Sequence, residues 1–224
     1  MTGAQRTLAG ESAVSGVGLF TASPTRALFR PAPEDHGVVF VRTDIDSRPR
    51  IPATVDRLLP AEHRTAIGVD GVRLETVEHC LAALAGLGID NAIIEVEGPE
   101  LPIGDGSCRL FVDAIASAGT REQRAPARTF VVRETAEVRC ERTGAWLRAE
   151  ACEGDPVYRY ELDYGEGSPI EPHHAETVCT PERFANELAD ARTFSTLHEA
   201  EAARAAGLFT HLSASDMLVI GPDG

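Results

Sequence analysis

Glu78 and His79 are the two neighbouring side chains of this sequence best suited to hydrolytic chemistry, and they lie in the first turn of a segment with helical periodicity. The positive end of a helix dipole favours an ionised carboxylate and a neutral imidazole. A neutral imidazole can bind a metal ion, and the adjacent carboxylate can take a proton from bound water. The alternative is a helix start with two solvated polar residues, which spacing alone favours because a Glu-His pair is far less specific than HExxH.

Two further polar residues could contribute to a site. Asp105, in the sequence PIGDGS, could orient a ligand, although Asp-Gly is first of all turn chemistry. Thr193 lies in a predicted joint between two helices, where its hydroxyl could donate to an oxyanion or cap a backbone group. His173 and His174 are adjacent and cannot readily chelate one ion, so we expect them in a surface loop.

Composition excludes several classes of function. All 21 basic residues are arginine, which removes the lysine-dependent mechanisms of Walker-type phosphate loops, pyridoxal Schiff bases and kinases. The net charge of −14, with no basic run, argues against nucleic acid as a partner. No apolar run reaches the length of about 20 residues that crosses a bilayer, so we expect no stable membrane insertion.

The cysteines and the N-terminal sequence bear on location. The five cysteines are odd in number, scattered and without CxxC spacing, which is typical of reduced packing residues. The first ten residues lack the pattern of a secretory signal. We therefore expect a cytoplasmic protein.

The elements that must position Glu78 and His79 are predicted from periodicity. Strands are expected at residues 26–30 and 37–43, and a helix at 76–88 with Thr76 as its N-cap and a left-handed glycine at its end. A strand at 91–97, a rigid turn and a helix at 107–118 follow. The class is therefore mixed α and β, of the α+β type.

The second half repeats the order of strands followed by helices. Residues 120–128 are charged, contain Pro126 and lack large apolar residues, which predicts a linker. A helix start at Thr180, a capping box formed by Thr196 and Glu199, and a last strand at 217–220 are also predicted. Short strands are expected after the linker at residues 128–134, 137–141, 145–150 and 157–164.

Several motifs follow one another in the order found in one enzyme family. They are RTL at 6–8, SGVGL at 15–19, RPAP at 30–33, TVEH with LAALAGLGIDN at 76–91, E-x-P-I-x-DGS at 100–107 and ARTF at 191–194. With them the sequence resembles the UDP-3-O-acyl-N-acetylglucosamine deacetylases, the zinc amidases of lipid A biosynthesis, along essentially its whole length. The resemblance implies hydrolysis of the N-acetyl group of a UDP-linked, 3-O-acylated glucosamine, which releases acetate and a free amine for lipopolysaccharide synthesis.

The resemblance also implies roles for matching residues. His79 would be a zinc ligand, Glu78 the general base, and Thr193 a hydroxyl donor to the tetrahedral oxyanion. An insertion at about residues 196–220 would form an apolar passage for the acyl chain, although its leucines and phenylalanine would serve equally well as ordinary core. The implied substrate-binding residues are Phe194, Leu197, Leu208 and Phe209.

The implied fold is two similar two-layer α/β sandwich domains packed face to face, with the site at their junction. We expect the first domain at residues 1–125 and the second at 126–224, the second being incomplete. The full-length protein is expected to be a monomer with the UDP-linked acylated glucosamine as its partner.

The sequence also departs from the family pattern. Phe20 stands where a histidine is common, and residues 211–213 replace a Gly-Gly-Ser run. The chain stops before the family's H-K-x-x-D helix, so Zn²⁺ would have only one of its expected protein ligands. We therefore expect a shortened deacetylase that is inactive alone, or else an inactive paralogue that binds ligand without turnover. A metal site completed by His211 and Asp216 is the least favoured alternative, because their spacing is not helical.

Overall fold

A computed structural model describes residues 3–213 and 216–222, which form many short strands and a few helices. Up to residue 126 they are β1 (Ala4–Leu8), β2 (Ser12–Val17), β3 (Pro24–Pro31), β4 (Val38–Arg42), β5 (Arg50–Pro52), a 3₁₀ turn (Val55–Arg57), β6 (Leu58–Leu59), β7 (Ala66–Val69), β8 (Val72–Glu75), α1 (Glu78–Gly86), β9 (Ala92–Glu97), α2 (Arg109–Ala118) and β10 (Thr120–Pro126).

The later elements are shorter and mostly paired as isolated hairpins. They are β11 (Ala136–Arg139), β12 (Trp146–Ala149), β13 (Val157–Leu162), β14 (His173–Val178), α3 (Pro181–Arg183) running into a π-helix (Phe184–Leu188), β15 (Phe194–Thr196), α4 (Leu197–Ala205) and β16 (Leu218–Ile220). This mixture confirms the α+β class. No helix in the described ranges is both long enough and apolar enough to cross a membrane.

The main sheet has five strands in the order β2-β3-β9-β4-β5. Strand β9 pairs antiparallel with β3 and parallel with β4, so it lies at the centre. Alternate side chains of β9 are buried, because successive residues of a strand point to opposite faces of the sheet. The apolar, β-branched strand β4 beside it is also mostly buried. Phe29, Phe40 and Ile94 are fully buried there.

Two helices cover this core. Helix α2 packs on β2 and β3, with the Phe29 and Phe111 rings 6.2 Å apart between centroids. Helix α1 packs on α2 and buries Cys80, Ala83 and Leu84. The strand at 91–97 and the two helices are thus confirmed in kind and approximate position.

The prediction of how α1 begins was wrong. Thr76 is not its N-cap: it has a left-handed backbone with φ of +56°, and Val77 occupies the cap position without a side-chain hydrogen bond. The helix therefore starts at Glu78 and not two residues earlier. Its predicted glycine stop is confirmed, since Gly88 has φ of +68°, a conformation that glycine adopts without strain.

The predicted linker at residues 120–128 was also wrong over most of its length. Residues Thr120–Pro126 form β10, which pairs antiparallel with β1 from Leu8↔Thr120 to Ala4↔Pro126. Charge and the lack of large apolar residues do not prevent pairing, because the ladder uses backbone groups and the charged side chains face outward. β1 supplies the partner from the other end of this half of the chain.

Two corrections concern the second half. Residues 128–134, predicted as a strand, have no regular structure. His173 and His174 lie on β14 and not in a loop; they pair with Leu162 and Glu161 of β13, and adjacent positions on a strand face opposite sides. The helix start predicted at Thr180 is confirmed, since the Thr180 side chain caps a short α-helix that runs into a π-helix. The capping box of Thr196 is confirmed at the start of α4.

A segment of the second half docks on the first core. The Phe184 ring lies directly over Gly86 of α1, and Ala189 is fully buried. Arg109 of α2 donates to Asp190 at 2.6 Å and to the Ala185 carbonyl at 2.7 Å. The residues between α3 and β15 are thereby fixed beside the helix that follows the DGS turn.

Candidate functional site

The candidate site begins at the N-terminal end of α1. The Glu78 carboxylate accepts a hydrogen bond from the backbone N–H of Thr65, at 3.0 Å. His79 beside it is half-buried, and this burial lowers its pKa, while the charges of Glu78 and Asp105 oppose the shift. The imidazole is therefore neutral at neutral pH, which is the form that binds a metal ion or accepts a proton.

The DGS turn forms the second part of the site. Asp105 Oδ1 accepts hydrogen bonds from the Ser107 N–H at 3.0 Å and the Ser107 hydroxyl at 2.7 Å. Burial raises the pKa of Asp105, but these bonds and the Arg192 charge more than offset it, so the net shift is downward. Gly106 has φ of +86°, which a side chain would strain. Asp105 is thus a fixed carboxylate whose charge acts on His79.

The ARTF motif is held against this turn by its backbone. The N–H of Thr193 donates to the Gly106 carbonyl at 2.8 Å, and Arg192 Nε donates to the Asp105 carbonyl at 2.5 Å. Thr193 lies between the π-helix and β15, not between two helices. The structure therefore brings Thr193 to the same turn whose carboxylate acts on His79, although these residues are far apart in sequence.

The described residues do not fit a complete catalytic zinc site. Within residues 3–213 and 216–222, no three His, Cys, Asp or Glu side chains converge in a way that could hold a metal ion. An open catalytic zinc needs three protein ligands. His211 Nε2 instead donates to the Gly18 carbonyl at 3.1 Å, and Asp216 accepts from the N–H and hydroxyl of Ser213 at 2.7 and 2.6 Å. The arrangement gives no support to these two as completing ligands.

A cleft lies near the SGVGL loop. The Phe20 ring packs edge-on against Phe209, with centroids 5.2 Å apart. The Arg64 guanidinium lies over the Phe20 ring, 4.0 Å from its centroid. Arg64 is also paired with Glu75 at 2.8 Å. Leu208 lines the same cleft, whose volume is about 360 Å³.

Two of the four predicted substrate-binding residues therefore meet at this cleft. Leu208 lines it and Phe209 stacks on its Phe20 wall. Leu197 begins α4 and is exposed, and the Phe194 ring instead packs against Tyr164 at 6.4 Å. The sequence did not predict a role for Arg64, because its position over Phe20 depends on a tertiary contact. The sequence showed only the aromatic residue after SGVGL as a sign of this contact.

The site is typical of a hydrolase: it combines a carboxylate, a neutral imidazole, a turn fixed by an aspartate and a nearby threonine, in an α+β fold. Comparison with known proteins makes this class specific. The family model described as LpxC, UDP-3-O-acyl N-acetylglycosamine deacetylase, matches residues 5–224. The chain belongs to this family.

Individual relatives carry the same deacetylase name as the family model. The UDP-3-O-acyl-N-acetylglucosamine deacetylase of Phenylobacterium zucineum is 40% identical over 222 residues, which cover 98% of this chain and 74% of the relative. The protein of that name from Myxococcus xanthus is 37% identical over 237 residues, covering 98% and 71%. The one from Brucella melitensis biotype 1 is 35% identical over 225 residues, covering 100% and 77%.

Proposed function

We propose that this protein removes the N-acetyl group from UDP-3-O-acyl-N-acetylglucosamine by amide hydrolysis, as a step of lipid A biosynthesis. The observation that carries the proposal is the placement of Glu78 and a half-buried His79 side by side in the first turn of α1, within reach of the Asp105 charge. Membership of the deacetylase family supports the choice of substrate.

The chain's own residues have distinct roles in this proposal. Glu78, held by the Thr65 N–H, takes the proton from the attacking water. The Thr193 hydroxyl donates to the oxyanion that forms at the amide carbonyl. Asp105 holds the DGS turn and acts on His79 through its charge. The C–N bond then breaks, the oxygen of the water stays on acetate, and the proton taken from the water is returned to the leaving amine.

Zinc enters the proposal only through His79, as one ligand. Because the described residues bring no three ligands together, the remaining ligands have to come from outside residues 3–213 and 216–222. We expect His79 as a single ligand to bind Zn²⁺ only weakly.

For the acyl chain we propose the segment at about residues 196–220, next to the cleft of Phe20. Leu208 and Phe209 are its apolar surface there. Leu197 and Phe194 are proposed as further contacts of the acyl chain away from this cleft. The exposed fraction of Leu208 is 44% and that of Leu197 is 41%, which leaves both accessible to an apolar ligand.

We propose two domains of the two-layer sandwich type, at residues 1–125 and 126–224, facing each other across the site, the second being incomplete. Burial supports only the position of the boundary, because it falls after residue 126: among the described residues between 127 and 180, Ile170 is the one buried apolar side chain. A monomer in the cytoplasm is the proposed state. All five cysteines are free, as a reducing compartment would keep them.

A second candidate is a protein that binds the acylated nucleotide sugar without turnover. It is favoured by one observation, namely that no three metal-ligating side chains converge among the described residues. It keeps the cleft of Phe20 and the same apolar surface.

The two candidates separate in one experiment. The protein is purified from cells that carry its native gene, supplied with Zn²⁺, and mixed with UDP-3-O-acyl-N-acetylglucosamine. The proposal predicts acetate and free amine in equal amounts. Binding measured by calorimetry without either product would establish the second candidate, and neither binding nor product would reject both.

A further inference from the structure

Glu100 is a fully buried carboxylate that none of the roles above uses. Its exposed fraction is 0%, yet it accepts hydrogen bonds from the N–H groups of Phe20 and Thr21, at 3.1 and 2.8 Å, and from the hydroxyls of Thr21 and Thr76, at 2.8 and 2.7 Å. A buried charge without such partners would be very costly. The donors found for it among the described residues are all neutral, so hydrogen bonds alone solvate this carboxylate.

These bonds join parts of the chain that are distant in sequence. Phe20 and Thr21 belong to the loop after SGVGL, and Phe20 is a wall of the cleft. A Cβ on Gly18 would overlap the Glu100 carboxylate and the Thr21 hydroxyl, so the loop packs directly on the carboxylate. Glu100 itself begins the segment that reaches Asp105 five residues later.

The third connection leads to the catalytic helix. Thr76 is 98% buried and has φ of +56°, which is unusual and costly for a β-branched residue. Such a conformation persists only where the surroundings fix it, and the Thr76 hydroxyl donates to Glu100 Oε1. Helix α1 has no side-chain cap, so the direction in which Glu78 and His79 leave the strand depends on Thr76.

We propose that Glu100 is a positioning residue of the deacetylase site. Its carboxylate fixes Thr76 in the left-handed conformation from which α1 presents Glu78 and His79. The same carboxylate fixes the loop that carries Phe20. The inference rests on the proposed function for its catalytic consequence, whereas the coupling between Glu100 and Thr76 can be measured without activity.

The test uses the active protein and conservative changes at Thr76. Thr76→Val removes only the hydroxyl, and we expect kcat to fall at least tenfold with KM within about twofold of wild type; Thr76→Ser should restore kcat. Glu100→Gln should lower kcat and also raise KM, because it loosens Phe20 as well. The matched control is Thr25→Val, since Thr25 is also buried and its hydroxyl has no partner.

Stability provides the second readout. In urea unfolding, the double variant Thr76→Val, Glu100→Gln should lose less free energy of unfolding than the two single variants summed. The reason is that each single change already removes the same hydrogen bond. If the wild type shows no turnover, the proposed function is rejected and the positioning role with it. The unfolding energies of the two single variants and the double variant would still show whether Thr76 and Glu100 interact. An active wild type with Thr76→Val at full kcat, or with Thr25→Val equally impaired, would overturn the positioning role alone.

Discussion

Thr65 holds Glu78 and the residue before it through two hydrogen bonds across the start of α1. The Thr65 N–H donates to the Glu78 carboxylate at 3.0 Å, and the Thr65 carbonyl accepts from the N–H of Val77 at 3.3 Å. The approach to β7 therefore serves as the cap that α1 lacks in its own sequence. The Glu78 carboxylate, the proposed base, is held by a backbone N–H, so its position is set without a ligand.

Replacing Glu78 by glutamine should remove the base while preserving this arrangement. Glutamine has the same shape, and its carbonyl oxygen can accept the Thr65 N–H. We expect kcat for deacetylation to fall by about 10²- to 10⁴-fold, the usual contribution of general base catalysis. Glu97→Gln, an exposed carboxylate on β9, is the control and should change kcat little. A variant within a few fold of wild type would remove Glu78 from the role of base.

The Thr193 hydroxyl should matter more than the side chain's bulk. Thr193→Val keeps the backbone bond to the Gly106 carbonyl and should lower kcat by about 10²- to 10³-fold, as loss of an oxyanion donor does. Thr193→Ser should retain most turnover. Thr177→Val, on β14, is the control. Equal activity of the valine and serine variants at Thr193 would show that the hydroxyl donates to nothing in the reaction.

Local patterns predicted the elements around the site well. Helical spacing and a following glycine identified α1 and α2, and both stops were confirmed at Gly88 and Gly119, where φ is +68° in each. The β-branched run of β9 was recognised for the same reason. These features depend on residues within one or two turns, which a single sequence displays.

Contacts between distant residues were not predictable in the same way. β10 looked like a linker because its partner β1 lies more than a hundred residues away. Phe184 docks on Gly86, and Glu100 collects donors from two other segments, without any periodic signal. The left-handed Thr76 is a local exception, and tertiary hydrogen bonds override its preference for capping.

The docking of Phe184 on α1 predicts a non-additive pair. Gly86→Ala should destabilise the protein by about 1–3 kcal/mol, because its new methyl overlaps the ring. Phe184→Ala should cost about 3–5 kcal/mol. The double variant should cost less than the sum, since the methyl occupies part of the vacated space. Urea unfolding measures all three, and Gly3→Ala, with open surroundings, is the control. Additive costs would contradict the contact.

The cysteines should separate by reactivity in the native protein. Cys140 is exposed, and hydrogen bonds from the Thr143 side chain and neighbouring backbone lower its pKa. Burial raises the pKa of Cys80 and of Cys108. A thiol reagent at neutral pH should label Cys140 first and the two buried thiols only after urea is added, as mass spectrometry would show. Cys140→Ser should remove the Cys140 adduct and leave labelling of the exposed Cys152, and rapid native labelling of Cys80 would contradict the fold of α1.

The Arg109–Asp190 pair predicts an acid dependence of docking. The Arg109 hydrogen bond, at 2.6 Å, lowers the pKa of Asp190 below its unfolded value of 3.8, an effect that burial partly opposes. A depressed folded pKa means that the pair stabilises the protein fully above the unfolded value and loses its effect as pH falls through the folded pKa.

The urea midpoints of wild type and Asp190→Asn should therefore differ most above the ordinary aspartate range, for example at about pH 6, and converge as the pH falls below that range. Asp113→Asn is the matched control, because Asp113 contacts the same guanidinium only at 3.9 Å, and it should show a smaller difference at every pH. Both carboxylates are exposed, so added salt should reduce the difference at about pH 6. A gap between wild type and Asp190→Asn that stays constant across this range would mean that the variant acts through packing and not through the charge of Asp190.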